Sequence, residues 1–531
     1  MKKSFEIKDI FLAASSGLLI AISFPRFNLY PVAWIGIIPL LTVLKDKDKK
    51  DAFYLGWLVG ATSFIVIINW VTITMYNYGK VPLPVSYTIM FLLAAYLGLY
   101  TAIFSYLFNL IKDRSPQIRL VIGPSLWVTL ELIRNYLLTG FPWAQLGYSQ
   151  YEFMELIQIA DITGVYGISF LIVMVNIAIT ETAILIKKRG RKERGHYRNL
   201  IALIAIPVLI LIMVYSYGYI KLSSPPFNSP LTKGGQRGVK EEMRGFLDNG
   251  NTQKMRIGLI QGNIEQGKKW DVKFKRETID IYLTLSKKAK SEGAGLIIWP
   301  ETAAPFFFEQ EREYQNELTT FAKQNSVYLL IGSPAMKGRD GLLNSAYLIS
   351  PKGDVLYRYD KIHLVPFGEY VPLTNILFFI NKMVEGIGDF VPGEDYTIMK
   401  TDGARFGVVI CYEIIFPELV REFVKRDANL MVTITNDAWF GVSSAPYQHF
   451  SMAVFRAVEN RVPVIRAANT GITGIIDASG RIIKTTDIFA ETYITDEIAI
   501  SEVHKKTIYT KYGDIFSYLC AAAIIFFYGW T

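Results

Sequence analysis

Eight stretches of this 531-residue chain are apolar over about the length of a membrane-spanning helix. A helix that crosses the hydrocarbon core of a bilayer needs about 20 predominantly apolar residues. The candidate spans lie near residues 7–24, 28–45, 52–75, 83–112, 118–138, 162–186, 199–219 and 513–530. The pattern therefore predicts a polytopic α-helical membrane domain of about eight transmembrane helices, seven of which precede residue 222.

The basic residues indicate which way the predicted spans run. Lys and Arg are abundant in one set of connecting loops, at 45–51, 112–118 and 187–198. The loops that alternate with them carry almost none, near 76–83 and 139–161. Because cytoplasmic loops of membrane proteins are enriched in Lys and Arg, we expect a cytoplasmic N-terminus and an outer face that receives the chain after residue 220. This clustering also accounts for the net charge of +9, so nucleic acid is not an expected partner.

A second region of the chain has the pattern of a soluble domain. Residues 222–254 are rich in Pro, Gly, Ser and charge, which is typical of a linker. After them, short β-rich runs alternate with stretches of helical periodicity, and this alternation predicts a layered α/β sheet. We therefore predict four segments: a membrane domain at 1–221, a linker or insertion at 222–254, a catalytic α/β domain at 255–502 and a C-terminal transmembrane helix at 503–531.

Three predicted strands of the α/β region end in reactive side chains. Glu301 follows the run LIIWP, and Cys411 ends the run FGVVIC. Lys361 and Glu369 lie in YRYDKIHLVPFGEYVP, which is too irregular for simple core structure. Sites in open α/β sheets gather at the carboxyl ends of strands, so we expect these side chains to converge in one cleft.

A glutamate, a lysine and a cysteine together have a coherent chemistry. A free thiol has a pKa near 8.5 and is mostly protonated at neutral pH. A carboxylate can take its proton, while an ammonium can favour the thiolate and stabilise an oxyanion. Taken singly, each residue has a structural interpretation, since a lone Cys in an apolar run is usually a small buried hydrophobe. Taken together, they predict acyl transfer through a thioester.

The remaining Cys and His residues are interpreted as structural. Cys520 lies inside the last apolar span, and it is too far from the other cysteine to suggest a disulfide framework. His363 and His449 could serve as bases but have no partner pattern around them. The four dispersed His residues do not have the ligand spacing of a zinc site.

Residues 255–480 resemble the nitrilase, or carbon–nitrogen hydrolase, superfamily, whose Glu–Lys–Cys triad matches WPE, DK and CYE. The resemblance implies a four-layer α-β-β-α sandwich in which Glu301 is the general base, Lys361 the oxyanion stabiliser and Cys411 the nucleophile. Nearly the whole chain, except 222–254, is similar to the apolipoprotein N-acyltransferase family. The motifs that carry this likeness are FPRF (24–27), GFPWAQLGYSQ (140–150), QGNIEQGKKW (261–270), LVPFGEYVP (364–372), TNDAWFG (435–441) and RAANTGITGIID (466–477). The likeness implies supporting roles near the thioester for Glu369, Trp270, Tyr412 and Glu413.

The family resemblance also implies a substrate and a location. An acyl chain would pass from a membrane phospholipid, through a Cys411 thioester, to the N-terminal α-amino group of the diacylglyceryl-cysteine of a bacterial apolipoprotein. The enzyme would lie in the bacterial cytoplasmic (inner) membrane with its catalytic domain on the outer, periplasmic face, and the scheme requires no metal, nucleotide or coenzyme. Two alternatives stay open: a membrane-anchored amidase that uses water as the acceptor, and a non-enzymatic receptor that keeps a hydrolase fold. The apolar run 306–308 is interpreted either as core or as a lid that admits acyl chains.

Overall fold

The computed structural model describes residues 6–187, 194–223, 252–339, 341–370, 390–502 and 505–529. Most of the predicted linker, 224–251, lies outside the described residues, as do the last two residues of LVPFGEYVP. Helices fill the described chain up to Ser223, and strands alternate with helices from Thr252 to Ser501. We call the described residues of 6–223 and 505–529 the helical part, and those of 252–502 the sheet part.

Helices occur at every predicted span, but several are shorter or broken. The predicted span 28–45 becomes a 3₁₀ turn and two short helices, and Pro31 and Pro39 each lie at the start of one of these pieces. Proline has no N–H to donate, so the first turn of a helix is its most favourable position. Pro124 and Pro207 nevertheless lie inside the continuous helices Pro116–Tyr136 and Arg194–Ser223. In chain order the helices are α1 Ile7–Ile22, α2 Ala33–Gly36, α3 Ile38–Leu44, α4 Lys49–Ile67, α5 Trp70–Asn77, α6 Leu83–Leu110, α7 Pro116–Tyr136, α8 Met154–Ile157, α9 Ala160–Thr163, α10 Val165–Lys187 and α11 Arg194–Ser223.

Four helices of the described chain are long and apolar enough to cross a membrane by length and composition. They are Lys49–Ile67, Leu83–Leu110, Val165–Lys187 and the segment Asn199–Ser223 of α11. The apolar stretches Tyr30–Leu44 and Ile515–Gly529 are shorter than a full crossing. Several apolar helices therefore make up the helical part, while the number of about eight crossings stays a prediction.

The tightest helix pair of the helical part, α4 with α6, meets at glycines. A Cβ added to Gly60 would lie 2.7 Å from the Cα of Gly98, and one added to Gly56 would lie 2.6 Å from the carbonyl oxygen of Thr101. Small residues let helix backbones approach closely, which is the main source of packing energy between helices in lipid. These glycines therefore allow the close approach of one helix pair in the helical part.

The sheet part holds two six-stranded sheets among the residues described. The strands are β1 Thr252–Gln261, β2 Leu296–Ile298, β3 Tyr328–Lys337, β4 Gly341–Ile349, β5 Val355–Asp360, β6 Ile398–Lys400, β7 Arg405–Ile410, β8 Leu430–Thr435, β9 Val464–Ala468, β10 Gly474–Ile476, β11 Ile482–Thr485 and β12 Thr492–Ser501. The strand order is β12-β1-β2-β3-β4-β5 in one sheet and β11-β10-β9-β8-β7-β6 in the other. Three neighbouring strands run parallel in each sheet, β1-β2-β3 and β7-β8-β9.

Helices cover the outer face of each sheet. Side chains of a strand alternate between its two faces. In β2, Leu296 and Ile298 join the apolar cluster that includes the second sheet, whereas Ile297 joins a cluster made with two helices on the other side. The layers therefore follow the order helix, sheet, sheet, helix, as the predicted sandwich requires. The helices are α12 Val272–Ser291 and α13 Arg312–Asn325 on the first sheet, α14 Pro417–Lys425 and α15 Ala445–Asn460 on the second, and α16 Ile508–Tyr512 and α17 Ile515–Gly529 at the end of the chain.

Polar side chains join the helical part to the sheet part. Arg461 donates to the Asp161 carboxylate at 2.9 Å and to the Gln158 side chain at 2.5 Å. Arg456, which is fully buried, donates to the Tyr148 hydroxyl at 2.8 Å. Such buried polar contacts fix the relative position of the two parts, because a broken one leaves an unpaired polar group.

Candidate active site

Cys411 stands at the sharp exit of β7. Its φ is +55°, in the left-handed region that non-glycine residues seldom adopt. A 3₁₀ helix, Cys411–Ile415, begins at the cysteine and separates it from α14. The residue is free and 8% exposed. Strained backbone of this kind costs about 1–3 kcal/mol and persists only where the surrounding structure holds it. The surrounding residues therefore fix the position of the thiol.

The thiol of Cys411 is protonated at neutral pH. Burial raises its pKa well above the ordinary value, the negative charge of Glu301 raises it further, and the charge of Lys361 opposes both. The sequence-based expectation that the ammonium favours a resting thiolate is therefore outweighed by burial and by the carboxylate. A reaction at this sulfur needs a base that removes its proton as the bond to the substrate forms.

Glu301, Lys361 and Glu369 meet beside this turn. The Lys361 ammonium lies 2.9 Å from the Glu369 carboxylate and 3.7 Å from the Glu301 carboxylate. Burial alone would lower the pKa of Lys361, but Glu369 and Glu301 outweigh it and raise the pKa. The lysine therefore stays a cation with a fixed direction, which suits an oxyanion stabiliser.

Asn344 bridges the two carboxylates of the site. Its side-chain amide donates to Glu301 at 2.8 Å and to Glu369 at 3.0 Å. The second oxygen of Glu301 accepts from the backbone N–H of Asn436 at 2.9 Å. The sequence analysis missed Asn344, which lies inside β4 with no motif around it. Its two hydrogen bonds hold the candidate base and the lysine's partner in one orientation.

A second buried lysine, Lys269, was also missed. Its side chain is almost fully buried, and its ammonium donates to the backbone carbonyl of Glu301 at 2.8 Å. Burial lowers the pKa of Lys269 to about 8, and the negative charge of Glu301 opposes this shift. It lies within QGNIEQGKKW, a motif quoted for its resemblance, so its position in the sequence was a usable signal. Lys269 adds a titratable cation to the site near neutral pH.

Glu413 ties the cysteine turn to the lysine segment. Its carboxylate accepts from the backbone N–H groups of Ile410 and Ile362, each at 2.7 Å, and of His363 at 3.0 Å. It also accepts from the Tyr359 hydroxyl at 2.9 Å. Burial raises the pKa of Glu413 to about 7, although the N–H donors favour the ionised form. The carboxylate is fully buried and points into the protein, so it acts on the site through the backbone.

The other sequence-predicted residues lie around this centre. Tyr412 is half-buried and packs edge-on against Phe416, with ring centroids 5.2 Å apart. Trp270 is half-buried, and no hydrogen bond or ring contact joins it to the triad in the described structure. Phe306 and Phe308 are buried in the apolar cluster beneath α12 and α13, so the core interpretation of that run is confirmed for both residues.

A cavity of about 370 Å³ lies next to the site, between the sheet part and the end of α5. Gln266 lines it and also accepts from the Asn436 side chain at 2.6 Å, which connects the cavity wall to the backbone that holds Glu301. Pockets of this size are typical for small ligands. In the part of the chain that the structure describes, no three His, Cys, Asp or Glu side chains gather as metal ligands would.

Comparison with known proteins gives two family matches and many relatives. Residues 16–178 match the apolipoprotein N-acyltransferase N-terminal domain, and residues 256–506 match the carbon–nitrogen hydrolase family. A Geobacter metallireducens protein named apolipoprotein N-acyltransferase is 44% identical over 97% of this chain and 94% of its own length. A Haemophilus influenzae protein of the same name is 34% identical over 95% of this chain and 91% of its own. Among solved structures, an amidase from Nesterenkonia sp. matches 49% of this chain and 92% of its own, with 21% identity and a TM-score of 0.35.

Proposed function

The chain belongs to the apolipoprotein N-acyltransferase family, and on that basis we propose that it acylates the N-terminal cysteine of bacterial lipoproteins. The acyl donor is a membrane phospholipid, and the acceptor is the α-amino group of a diacylglyceryl-cysteine. The chain is an acyltransferase with a carbon–nitrogen hydrolase domain and apolar helices. The proposal adds the donor, the residues and the order of steps.

In the first half of the reaction, Cys411 attacks the ester carbonyl of the phospholipid. Glu301 takes the thiol proton as the C–S bond forms, since the thiol is protonated at rest. Lys361 stabilises the negative oxygen of the tetrahedral intermediate. The ester C–O bond then breaks, Glu301 returns the proton to the departing oxygen, and a lysophospholipid leaves an acyl thioester on Cys411.

In the second half, the acceptor amine attacks the thioester carbonyl. Glu301 now removes a proton from the amine, the C–S bond breaks, and the sulfur leaves and recovers that proton. The products are an amide on the lipoprotein and the free enzyme. Glu369 and Glu413 position Lys361 and the cysteine turn in both halves, and Trp270 and Tyr412 support the substrates near the thioester.

The apolar helices explain why such a reaction needs a membrane enzyme. Each CH₂ group moved out of water contributes about 0.8 kcal/mol, so a long acyl chain is held in the bilayer by more than about 10 kcal/mol. We assign residues 1–221 and 503–531 to the bacterial inner membrane, with a cytoplasmic N-terminus, and residues 255–502 to its outer face. The catalytic cleft is then held where both lipids are.

The observation that carries the proposal is a buried thiol on a strained turn, with a carboxylate and an ammonium beside it. The test uses purified full-length enzyme and a phospholipid with a labelled acyl chain. We expect a hydroxylamine-sensitive label on Cys411 and its transfer to a diacylglyceryl-cysteine peptide as an amide. Cys411→Ala should stay folded and take no label, whereas Cys520→Ala, the matched control at the other free cysteine, should label normally.

Two outcomes would contradict the proposal. Full transfer activity in Cys411→Ala would exclude a thioester at this residue. Release of the label as free fatty acid in the presence of the peptide would show water to be the acceptor, which is the amidase alternative.

A further inference from the structure

A histidine lies directly behind the candidate nucleophile. His449, on α15, places its Nε2 3.2 Å from the backbone carbonyl oxygen of Cys411. The residue is 1% exposed, so water does not compete for that contact. Because Cys411 is in the left-handed region, the direction of its carbonyl depends on partners of this kind.

The neighbours of His449 select one tautomer. A carbonyl oxygen only accepts, so Nε2 must carry the hydrogen. Nδ1 lies 3.0 Å from an Arg466 guanidinium nitrogen, which only donates, and 3.1 Å from the Asp437 carboxylate, which only accepts. With the hydrogen on Nε2, Nδ1 accepts from Arg466, the nearer of the two. This neutral tautomer satisfies the contacts with Cys411 and Arg466, and it agrees with the pKa of His449, which burial and then the charge of Arg466 lower.

Asp437 forms a buried ion pair with Arg466. Its carboxylate lies 2.6 Å from Arg466 and accepts from the Thr435 hydroxyl at 3.0 Å. The Arg466 charge, more than any other group, holds the pKa of this buried Asp437 below its usual range. The contact of 3.1 Å between Asp437 and His449 is therefore a neighbouring contact and no ion pair, because the ring is neutral.

A residue of the helical part clamps the same ring. Trp143, which is fully buried between α7 and α8, stacks on His449 with ring centroids 5.7 Å apart and planes at 27°. Its indole N–H donates to Gln448, the residue before the histidine, at 2.7 Å. Phe440 packs edge-on against the ring at 6.1 Å. The aromatic neighbours thus fix the orientation of the imidazole ring, and Arg466 favours the tautomer with its hydrogen on Nε2.

We propose that His449 is a positioning residue that donates from Nε2 to the Cys411 carbonyl and so sets the direction of the thiol. The inference rests on the proposed function, because it assumes that Cys411 is acylated. The histidine moves no proton, since its only unprotonated nitrogen already accepts from Arg466. Trp143 extends the same support into the helical part.

Two variants of His449 distinguish hydrogen-bond donation to Cys411 from a role in packing alone. Gln places an amide nitrogen near the position of Nε2 and keeps a donor toward Cys411, whereas Asn reaches only the position of Nδ1. With labelled phospholipid, we expect His449→Gln to acylate Cys411 within about threefold of the wild-type rate and His449→Asn to lose at least tenfold. Thermal denaturation of both variants confirms folding, and the shape of the pH–rate profile should be the same in His449→Gln and wild type.

Three results would overturn the role of His449 as a donor. The first is a wild-type rate in His449→Asn, and the second is an equal loss in both variants when both are folded. The third is loss of one limb of the pH profile in His449→Gln, which would make His449 a base. The same variants can be compared without an acyl donor by measuring the rate at which iodoacetamide alkylates Cys411. We expect faster alkylation only in His449→Asn, because the turn at Cys411 has lost its hydrogen bond and exposes the thiol. If wild type is not acylated at Cys411, the proposed function is refuted, while the alkylation rates still test the role of His449.

Discussion

Asn344 is the side chain whose replacement tests the geometry of the site most sharply. It lies 6% exposed in β4 and donates to both Glu301 and Glu369. Asn344→Leu has a similar volume but no donor. In this variant one oxygen of Glu301 still accepts the hydrogen bond from the Asn436 N–H. Its other oxygen has no hydrogen-bond donor left and only faces the Lys361 ammonium at 3.7 Å.

The size of the effect of Asn344→Leu follows from one lost hydrogen bond to the candidate base. A hydrogen bond to a charged group contributes about 1.5–3 kcal/mol, which corresponds to a rate about 10- to 150-fold lower if the whole loss falls on the transition state. We therefore expect single-turnover acylation of Cys411 to slow by a factor in that range. The phospholipid concentration for half-maximal rate should change little, because Asn344 contacts the carboxylates.

Asn344→Asp gives a more specific prediction, since it places a third carboxyl against two carboxylates. At about 3 Å and an effective dielectric constant near 20, each like-charge contact costs about 6 kcal/mol. Keeping an ordinary Asp protonated at pH 7 costs only about 4 kcal/mol, so the new carboxyl stays neutral and donates one hydrogen bond in place of two. Its pKa therefore rises well above that of an ordinary Asp. The rate relative to wild type should lie above that of Asn344→Leu at pH 6 and fall as the pH rises through this raised pKa.

The assay for both Asn344 variants is the rate of label incorporation into Cys411 between pH 6 and 9, expressed relative to wild type at each pH. Circular dichroism and thermal denaturation in the same detergent serve as the folding control. An Asn344→Leu rate within twofold of wild type would refute the importance of the bridge. An Asn344→Asp rate below that of Asn344→Leu at pH 6 would refute the argument about protonation.

Three further perturbations have expected outcomes in the same assay. Gly332→Ala should slow acylation strongly, because its Cβ would lie 2.5 Å from backbone atoms on both sides of Glu301, whereas Gly267→Ala, with nothing within 4 Å, should be silent. Lys269→Met should be slower than wild type below pH 8, and the difference should shrink above pH 8, where the wild-type lysine loses its own charge because its pKa is about 8. Glu413→Gln should slow acylation at constant phospholipid affinity, since an amide nitrogen cannot accept from the backbone N–H groups that the carboxylate holds; unchanged rates would show that the two segments hold their positions without it.

The parts of the fold that were predicted from sequence are those that local patterns determine. Apolar runs mark where the helices lie, and short β-rich runs ending in Glu301, Lys361 and Cys411 mark the strand ends of the sheet part. The sequence-based expectation that these three side chains meet agrees with their positions. Breaks within the helices depend on single residues such as Pro31, which a hydropathy average does not register.

The rest of the site could not be predicted because it depends on contacts between distant parts of the chain. Asn344 follows Glu301 by 43 positions, and His449 follows Cys411 by 38, with nothing in either segment to show that they meet. His449 has no residue pattern around it, and its role appears only once Arg466 is placed against its other nitrogen. The pKa of Cys411 also depends on burial, which sequence does not give. Single polar residues inside strands and helices can therefore belong to the site without any sequence motif that marks them.

The polar contacts between the two parts decide what a shortened version of this chain would be. Removing the helical part would take both acceptors from Arg461 and would open one wall around the fully buried Arg456 and Glu459. It would also remove Trp143 from the ring of His449. A fragment made from the sheet part alone would therefore present a new surface on which Arg461 has lost its carboxylate partner, and its nucleophile would be held less firmly. Inhibitor screens should accordingly use the whole chain.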